Sequence, residues 1–407
     1  ITEFRAQARV WLAANLERRD PAGPRPDPHT AEHLAENREI QRRLFDGGYA
    51  GLTWPAEYGG RGMGAEYERA FREEAAGYVT ADFGILGVTT FGSCVPTMIR
   101  HASPEFLARH VPRVLRGEEL WCQFFSEPAA GSDLAGVQTR ATRADRGWVL
   151  DGAKIWSSLA HLADWGMCLA RTNWDVPKHR GLTWFGVPTD APGLTVRRIR
   201  QIGGSSEFCE EFLDGVAVPD SERIGEVDRG WPVTSTLLVY ERGAGRPGAS
   251  EAPDEPPALC PDLGAEARRA GRLDDADVRR ALATVHVEDY VVAQLQARIA
   301  TLSRLGKVDA GVAAYGKLGL AAATAARARA ALEVGGAGAI AWDPAEPGAG
   351  AAAHAFLESK KPAIAGGTEQ MQRNGVAERV LGLPRERAVD LDLPFREVLE
   401  RAREWRG

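Results

Sequence analysis

The sequence predicts an α+β protein: an N-terminal all-α domain, a middle antiparallel β-barrel-like domain and a C-terminal helical bundle, in that order. Three observations carry this expectation. At Glu119 the hydrophobic pattern changes from a helical period to short β-favouring runs, and at Gly230-Trp231-Pro232 it changes back. No helical pattern separates the runs in between, which excludes the strand–helix alternation of a parallel nucleotide-binding sheet. A length of 407 residues with 44% hydrophobic content supplies a large core and room for more than one domain. The boundaries are placed at 1–118, 119–228 and 229–407.

The chain opens with an amphipathic helical pattern, Phe4, Trp11, Leu12 and Leu16 apolar, interrupted by Arg5, Arg9, Arg18 and Arg19. It has no continuous apolar stretch of the kind a secretory signal needs. Because the first residue is Ile1, a short preceding piece is expected to be missing. Residues 31–45 favour a helix that Gly47 and Gly48 stop. A loop at Trp54-Pro55-Ala56-Glu57-Tyr58-Gly59-Gly60 precedes helices at 67–78 and 104–115. The β-favouring runs are 120–125, 148–150, 165–170, 183–187, 194–199 and 208–218, with Asp151-Gly152 and Asp214-Gly215 as turn signals between runs. Pro232 suits a first helical turn. Residues 243–264, rich in Pro, Gly and acidic side chains, read as a long mobile loop, and Ala-rich residues 313–334 as a packed interior helix.

A net charge of −6 argues against a nucleic-acid-coating surface, and no apolar run approaches the length of a membrane span. The five cysteines, Cys94, Cys122, Cys168, Cys209 and Cys260, are odd in number and never spaced as CxxC. They read as small buried hydrophobes, and with no HExxH pattern the chain offers no metal site. A reducing, cytoplasmic setting is the expectation.

Among the motifs, Gly336-Ala337-Gly338-Ala339-Ile340-Ala341 fits a loose dinucleotide pattern but follows a helix, not a strand, so it reads as a helix-ending turn. Gly59-Gly60-Arg61-Gly62-Met63-Gly64 reads as a surface loop for the same reason. Ser126-Glu127-Pro128-Ala129-Ala130-Gly131-Ser132-Asp133 directly follows a β run. Its small residues leave backbone N–H groups open to an anionic or heteroaromatic ligand, although an ordinary β-loop has the same composition. Lys154-Ile155-Trp156-Ser157-Ser158 sets a tryptophan beside hydroxyls, able to flank a planar cofactor or simply to fill a core. Ile364-Ala365-Gly366-Gly367-Thr368-Glu369-Gln370 breaks the chain at two glycines and restarts a helix, with Thr368 suited to cap it.

Taken together and in order, these segments resemble the acyl-CoA dehydrogenase family across essentially the whole chain. Residues 54–60 resemble its N-terminal loop, 122–133 its first signature, and 151–158 with Ala170-Arg171-Thr172 its hairpin. Val218-Pro219, Ile224-Gly225-Glu226 and Gly230-Trp231 resemble the exit from its β domain, and 366–373 running into 378–385 its C-terminal signature. The resemblance implies FAD as cofactor and an acyl thioester, acyl-CoA first, as substrate. It implies oxidation to the trans-2-enoyl thioester, a carboxylate taking the α-proton while the β-hydrogen leaves as hydride to flavin N5. It also implies an electron acceptor such as an electron-transfer flavoprotein. By motif position, Phe124, Ser126, Gly131, Ser132, Trp156, Ser158, Thr368 and Gln370 are the implied cofactor-binding residues, with Ser132, Arg242 and Gly366 lining the thioester.

Two departures shape the expectation. Many relatives carry a glutamate base where this chain has Gly366, which accepts no proton. A minority, including isovaleryl- and some steroid-side-chain types, carry it on the first helix after the β domain, and Tyr240-Glu241-Arg242 resembles their Glu-Arg pair. Glu241 is therefore the implied catalytic base. The usual Arg-x-x-Phe-Gly segment has no clear counterpart near residues 283–307, and the resemblance runs closest to actinobacterial subunits of α2β2 heterotetramers. A tetramer, homomeric or formed with a paralogous dehydrogenase chain, is implied. A non-catalytic companion subunit and a flavin oxidase or monooxygenase are the competing readings.

Overall fold

The computed structural model describes the chain except residues 21–26, 28, 242–260, 308–310, 344, 346–347, 349, 389 and 405–407. It forms two compact units, the first made of Ile1–Arg200, Ser206–Glu241 and Ala388–Gly407, the second of Gln201–Ser205 and Arg242–Arg387.

The first unit begins with α1 (Thr2–Asn15), α2 (Ala31–Asp46), α3 (Ala65–Ala75), α4 (Gly84–Thr89), α5 (Val95–His101) and α6 (Pro104–Leu115). The Thr30 hydroxyl caps α2 by accepting from His33 N, and the helix ends at Gly47. A π-helical turn, Thr90–Cys94, joins α4 to α5 without a break. Eight strands follow: β1 (Trp121–Phe124), β2 (Arg140–Ala144), β3 (Gly147–Ser158), β4 (Trp165–Arg171), β5 (Leu182–Pro188), β6 (Leu194–Arg198), β7 (Phe208–Pro219) and β8 (Arg223–Ile224). They form one sheet in the order β6-β7-β3-β2-β4-β5-β8, with β1 added to β4. Pairing is antiparallel except for β1 on β4 and a single β2–β4 bridge, Arg140 to Arg171. α7 (Gly230–Glu241) leaves the sheet, anchored by the Trp184 indole, which donates to Gly230 O and Thr234 Oγ1 at 3.0 Å each.

The two Asp-Gly pairs are not the turns the sequence suggests. Between the paired positions Leu150↔Val216 and Gly152↔Leu213, β3 holds one residue, Asp151, and β7 holds two, Asp214 and Gly215. This is a β-bulge inside two long strands, and Asp151 Oδ1 accepts from Gly215 N at 2.8 Å. Gly215 has φ +64°, so Asp-Gly supplies here the same left-handed residue that a tight turn would need. The hairpin turn between β2 and β3 is Asp145-Arg146.

One apolar cluster packs the N-terminal helices against β1, through Leu12, Phe71, Met98, Phe106, Val111 and Trp121. A second, including Phe124, Cys168, Phe185 and Leu213, fills the sheet. Cys94, Cys122, Cys168 and Cys209 are buried free thiols, and Cys260 lies outside the described residues. His110 on α6 ties helices to sheet, its two ring nitrogens 2.8 Å from Glu119 Oε2 and 2.9 Å from Glu222 Oε2. Burial works against its positive charge, but the two carboxylates together hold its pKa above the ordinary value. A raised histidine stabilises the fold fully below its unfolded pKa of 6.5 and loses that contribution as pH rises through the folded value. The Tm advantage of the wild type over His110→Gln is therefore expected to be largest near pH ~6 and to shrink toward pH ~9, measured by thermal melts across that range.

The second unit is helical: α8 (Pro261–Arg269), α9 (Ala276–Arg304), α10 (Val312–Gly335), α11 (Ala351–Glu358), α12 (Lys361–Ile364) and α13 (Glu369–Arg379). Most of the expected 243–264 loop lies outside the described residues, but 261–264 are already the first turn of α8. α10 is not interior on every side: Ala314, Ala321, Ala328 and Val334 are buried while Leu320 is 46% exposed. It ends at Gly336, φ +54°, followed by a 3₁₀ turn, Gly336–Ala339. The chain then returns to the first unit with α14 (Phe395–Glu404). There the fully buried Arg171 guanidinium lies 3.8 Å from the Phe395 ring centre, and Phe395 N donates to Val176 O. Among the described residues, no helix is long and apolar enough to cross a membrane.

Candidate active site

The loop after β1 is fixed from beneath. Glu127 and Ala130 exchange both backbone hydrogen bonds at 3.0 Å, leaving Pro128-Ala129 as an exposed tight turn. The buried Glu127 carboxylate accepts from Gln138 N, Thr139 N and, at 2.8 Å, from Lys154 Nζ. Lys154 is fully buried and also donates to Phe125 O and Leu169 O. Burial raises the Glu127 pKa, yet the Lys154 charge and these hydrogen bonds outweigh it and hold the carboxyl below its usual value. Ile155 N donates to Ser126 O at 2.9 Å, so the loop and β3 are joined directly.

On this platform Ser126 is half-buried, Ser132 is exposed, and a Cβ added to Gly131 would meet nothing within 4 Å. The loop is closed off by Asp133, which accepts from Lys178 at 2.9 Å; Lys178 also donates to Asp390 at 2.7 Å. Phe124 departs from expectation. Its ring is fully buried in the sheet core, packed over Gly166, so its side chain cannot lie along an exposed planar ligand.

Toward the end of β3 a second register shift, between Ile155 and Ser157, lifts Trp156 out of the ladder. Trp156 has φ +69° and is 55% exposed, its ring edge-on to Phe208 at 5.9 Å. A left-handed backbone at an aromatic residue is strained, and an exposed indole wastes apolar surface; such costs concentrate where a ligand is bound. Ser157 turns inward and Ser158 is half-buried.

Glu241, the last residue of α7, shares a helix face with the buried Thr234 and Leu237 at i−7 and i−4. That face looks toward the π-turn: burial first, and then the Glu241 charge, push the Cys94 thiol well above its ordinary pKa. The turn in turn grips β1, since Thr90 Oγ1 donates to Trp121 O at 3.0 Å and accepts from Trp121 N at 2.8 Å. Phe125 meets Trp184, the anchor of α7, edge-on at 4.9 Å. Ser126, Gly131, Ser132, Trp156, Ser158 and Glu241 all lie in the first unit, where Ile155 N to Ser126 O ties the loop to β3 and the Phe125–Trp184 contact ties its start to α7. Arg242 lies outside the described residues.

Gly366, Thr368 and Gln370 lie in the second unit and are described there alone. Gly366 and Gly367 have φ +66° and +90°, and Gln372 Nε2 donates to both their carbonyls at 3.2 Å. Lys317 donates to Pro362 O and Ala365 O. Thr368 Oγ1 caps α13 by accepting from Met371 N, and Gln370 is exposed. Sequence reasoning gave no role to Glu127, Lys154, Lys317 or Gln372. Glu127 and Lys154 stood inside the quoted motifs, but charged residues are ordinarily read as surface.

No group of acids, histidines and cysteines among the described residues could hold a metal ion. The exposed indole, neighbouring hydroxyls and glycine-opened loop instead fit a planar cofactor with an anionic tail.

The acyl-CoA dehydrogenase N-terminal, middle and C-terminal domain profiles match residues 2–118, 122–216 and 228–381. Acyl-CoA dehydrogenase IpdE1 of Mycobacterium tuberculosis is 36% identical, over 95% of this chain and 98% of its own. Acyl-CoA dehydrogenase FadE34 of the same organism is 38% identical over 93% of this chain, which spans only 51% of that relative's length. Among solved structures, the Tcur3481-Tcur3483 steroid ACAD gives a TM-score of 0.72 at 29% identity, covering 95% of this chain and 98% of that one. The ChsE4-ChsE5 complex from Mycobacterium tuberculosis gives 0.69 at 26%, covering 95% and 98%. With all three domains matched in order and a full-length relative above one-third identity, the chain belongs to the acyl-CoA dehydrogenase family, a family of FAD-dependent oxidoreductases.

Proposed function

We propose that this chain is a catalytic acyl-CoA dehydrogenase subunit that removes the α-proton of a bulky, steroid-type acyl-CoA with Glu241. We further propose that it works in a tetramer with a second dehydrogenase-like chain and passes electrons to an electron-transfer flavoprotein. The observation that carries the reading is Trp156, exposed on a left-handed bulge beside Ser158 and linked through Ser126 and Phe125 to the helix bearing Glu241. The substrate class and the heteromeric assembly follow the names of the steroid ACAD and the ChsE4-ChsE5 complex.

FAD, when bound, supplies the acceptor for the two electrons and the β-hydrogen. The chain's own residues do the rest. Trp156 offers a flat apolar wall, and the Ser126 and Ser158 hydroxyls can donate to ring heteroatoms. The open backbone at Gly131 and the Ser132 hydroxyl admit an anionic group. Glu241, half-buried on the face of α7 that carries Thr234 and Leu237, takes the α-proton onto a carboxylate oxygen.

Anaerobic titration of the flavin-loaded protein, with its partner chain where one is needed, tests this. Steroid-side-chain acyl-CoA esters are expected to bleach the flavin at least ~10-fold faster than straight-chain esters, a difference within reach of one good apolar subsite. A folded, flavin-bearing complex that no acyl thioester reduces would favour the companion-subunit reading. Rapid peroxide formation without an acceptor would favour an oxidase.

A further inference from the structure

Behind the bulge that lifts Trp156 outward lies a buried carboxyl group that the proposed chemistry does not use. Ser157 faces inward and its hydroxyl donates to Glu211 Oε2 at 2.9 Å. Glu211, on β7, is fully buried, and its other oxygen, Oε1, has no hydrogen-bond partner. A half-satisfied buried carboxyl costs stability that an apolar residue would not, so it calls for a local reason. The pairing pattern offers one. On β7, Cys209 and Glu210 are consecutive, yet they pair with Ser157 and Ile155, and Trp156 is the residue squeezed out between them. Ser157 is the first residue to re-enter the ladder, and its bond to Glu211 draws the strand inward just where the bulge must close.

We infer that Glu211 is a positioning residue: through Ser157 it holds the bulge that sets Trp156 and Ser158 in place for the cofactor. This rests on the reading that Trp156 and Ser158 flank FAD. Burial drives the Glu211 carboxyl up to about 7, only partly opposed by the Ser157 hydrogen bond and the Lys154 charge and reinforced by Glu210. Lys154 from β3, Glu210 and Cys209 on its own strand, Cys122 from β1 and Cys168 from β4 are the titratable groups around it. Near neutral pH the group exchanges between acid and carboxylate, and the hydrogen bond from Ser157 strengthens as the charge forms.

The test compares Ser157→Ala, Glu211→Gln, Glu211→Leu and Trp156→Ala in the full chain. It uses FAD affinity by calorimetry, the absorption spectrum of bound flavin from pH ~5.5 to ~8.5, and the Tm of the flavin-free protein. Ser157→Ala is expected to weaken FAD binding ~10-fold, with Glu211→Leu no worse in combination, because both break one bond. Glu211→Gln keeps an acceptor for Ser157 and should bind FAD nearly as the wild type does, while abolishing a spectral transition near neutral pH. A merely structural Glu211 would shift Tm and leave no such transition. If Glu211→Leu does not fold, Ser157→Ala and Glu211→Gln carry the comparison. Wild-type FAD affinity in Ser157→Ala, or a wild-type spectral pH profile in Glu211→Gln, overturns the inference. Should Trp156→Ala also bind FAD as the wild type does, the flavin-facing reading itself fails; if Trp156→Ala alone is impaired, only the role of Glu211 falls.

Discussion

Glu241→Gln is expected to keep its fold and its FAD while reduction by substrate slows ~10²–10⁴-fold, the usual cost of losing a positioned base. The amide keeps the size and polarity of the side chain, and α7 remains held by Trp184 through Gly230 and Thr234. What is lost is the ability to hold a proton. Stopped-flow reduction of the bound flavin reads this step directly, and a near-wild-type rate would place the base elsewhere. In the second unit, Gly366→Glu is expected to cost ~1–2 kcal/mol of stability, because at φ +66° a side chain strains the backbone.

The largest loss of stability is expected from Lys154→Met. Lys154 is fully buried and neutralises Glu127, whose side chain is only 6% exposed, while satisfying two further carbonyls. Removing one member of such a pair strands a charge and costs ~3–5 kcal/mol, measurable by urea denaturation. The double change Lys154→Met with Glu127→Leu should recover part of this, because it removes the orphaned charge as well. Recovery will be incomplete: Gln138 N and Thr139 N lose their acceptor, and the carbonyls of Phe125 and Leu169 lose their donor. A single variant as stable as the wild type would show that the pair contributes nothing to the loop it underlies.

The order of helices, strands and helices was legible because period and turn chemistry are local properties, and Glu119 and Gly230 mark where they change. What a glycine's freedom is used for is not local. Asp151-Gly152 and Asp214-Gly215 sit at a bulge, and only pairing between distant strands separates that from a turn. β2 escaped notice since its sequence, Arg-Ala-Thr-Arg-Ala, buries a single small residue, Ala141. At the candidate site, the small and aromatic residues carried the resemblance, while the charges beneath them were invisible to composition. Lys154, Arg171 and Glu211 look like surface residues until the strands that enclose them are known. Phe124 fails for the reverse reason: alternation along β1 turns its ring into the core.

The return of α14 to the first unit sets an order of events during synthesis. Arg171, whose guanidinium burial pulls down to about 10, needs the Phe395 ring over it, and Lys178 needs Asp390, 212 residues downstream. A nascent chain that has emerged only as far as Glu241 already contains the whole sheet and α7, but leaves the side of Arg171 and Lys178 uncovered. The complete second unit must be translated before that side can close. Through that interval the ribosome holds a nearly finished first unit with a cation short of its aromatic cover, the kind of partly assembled species that chaperones engage.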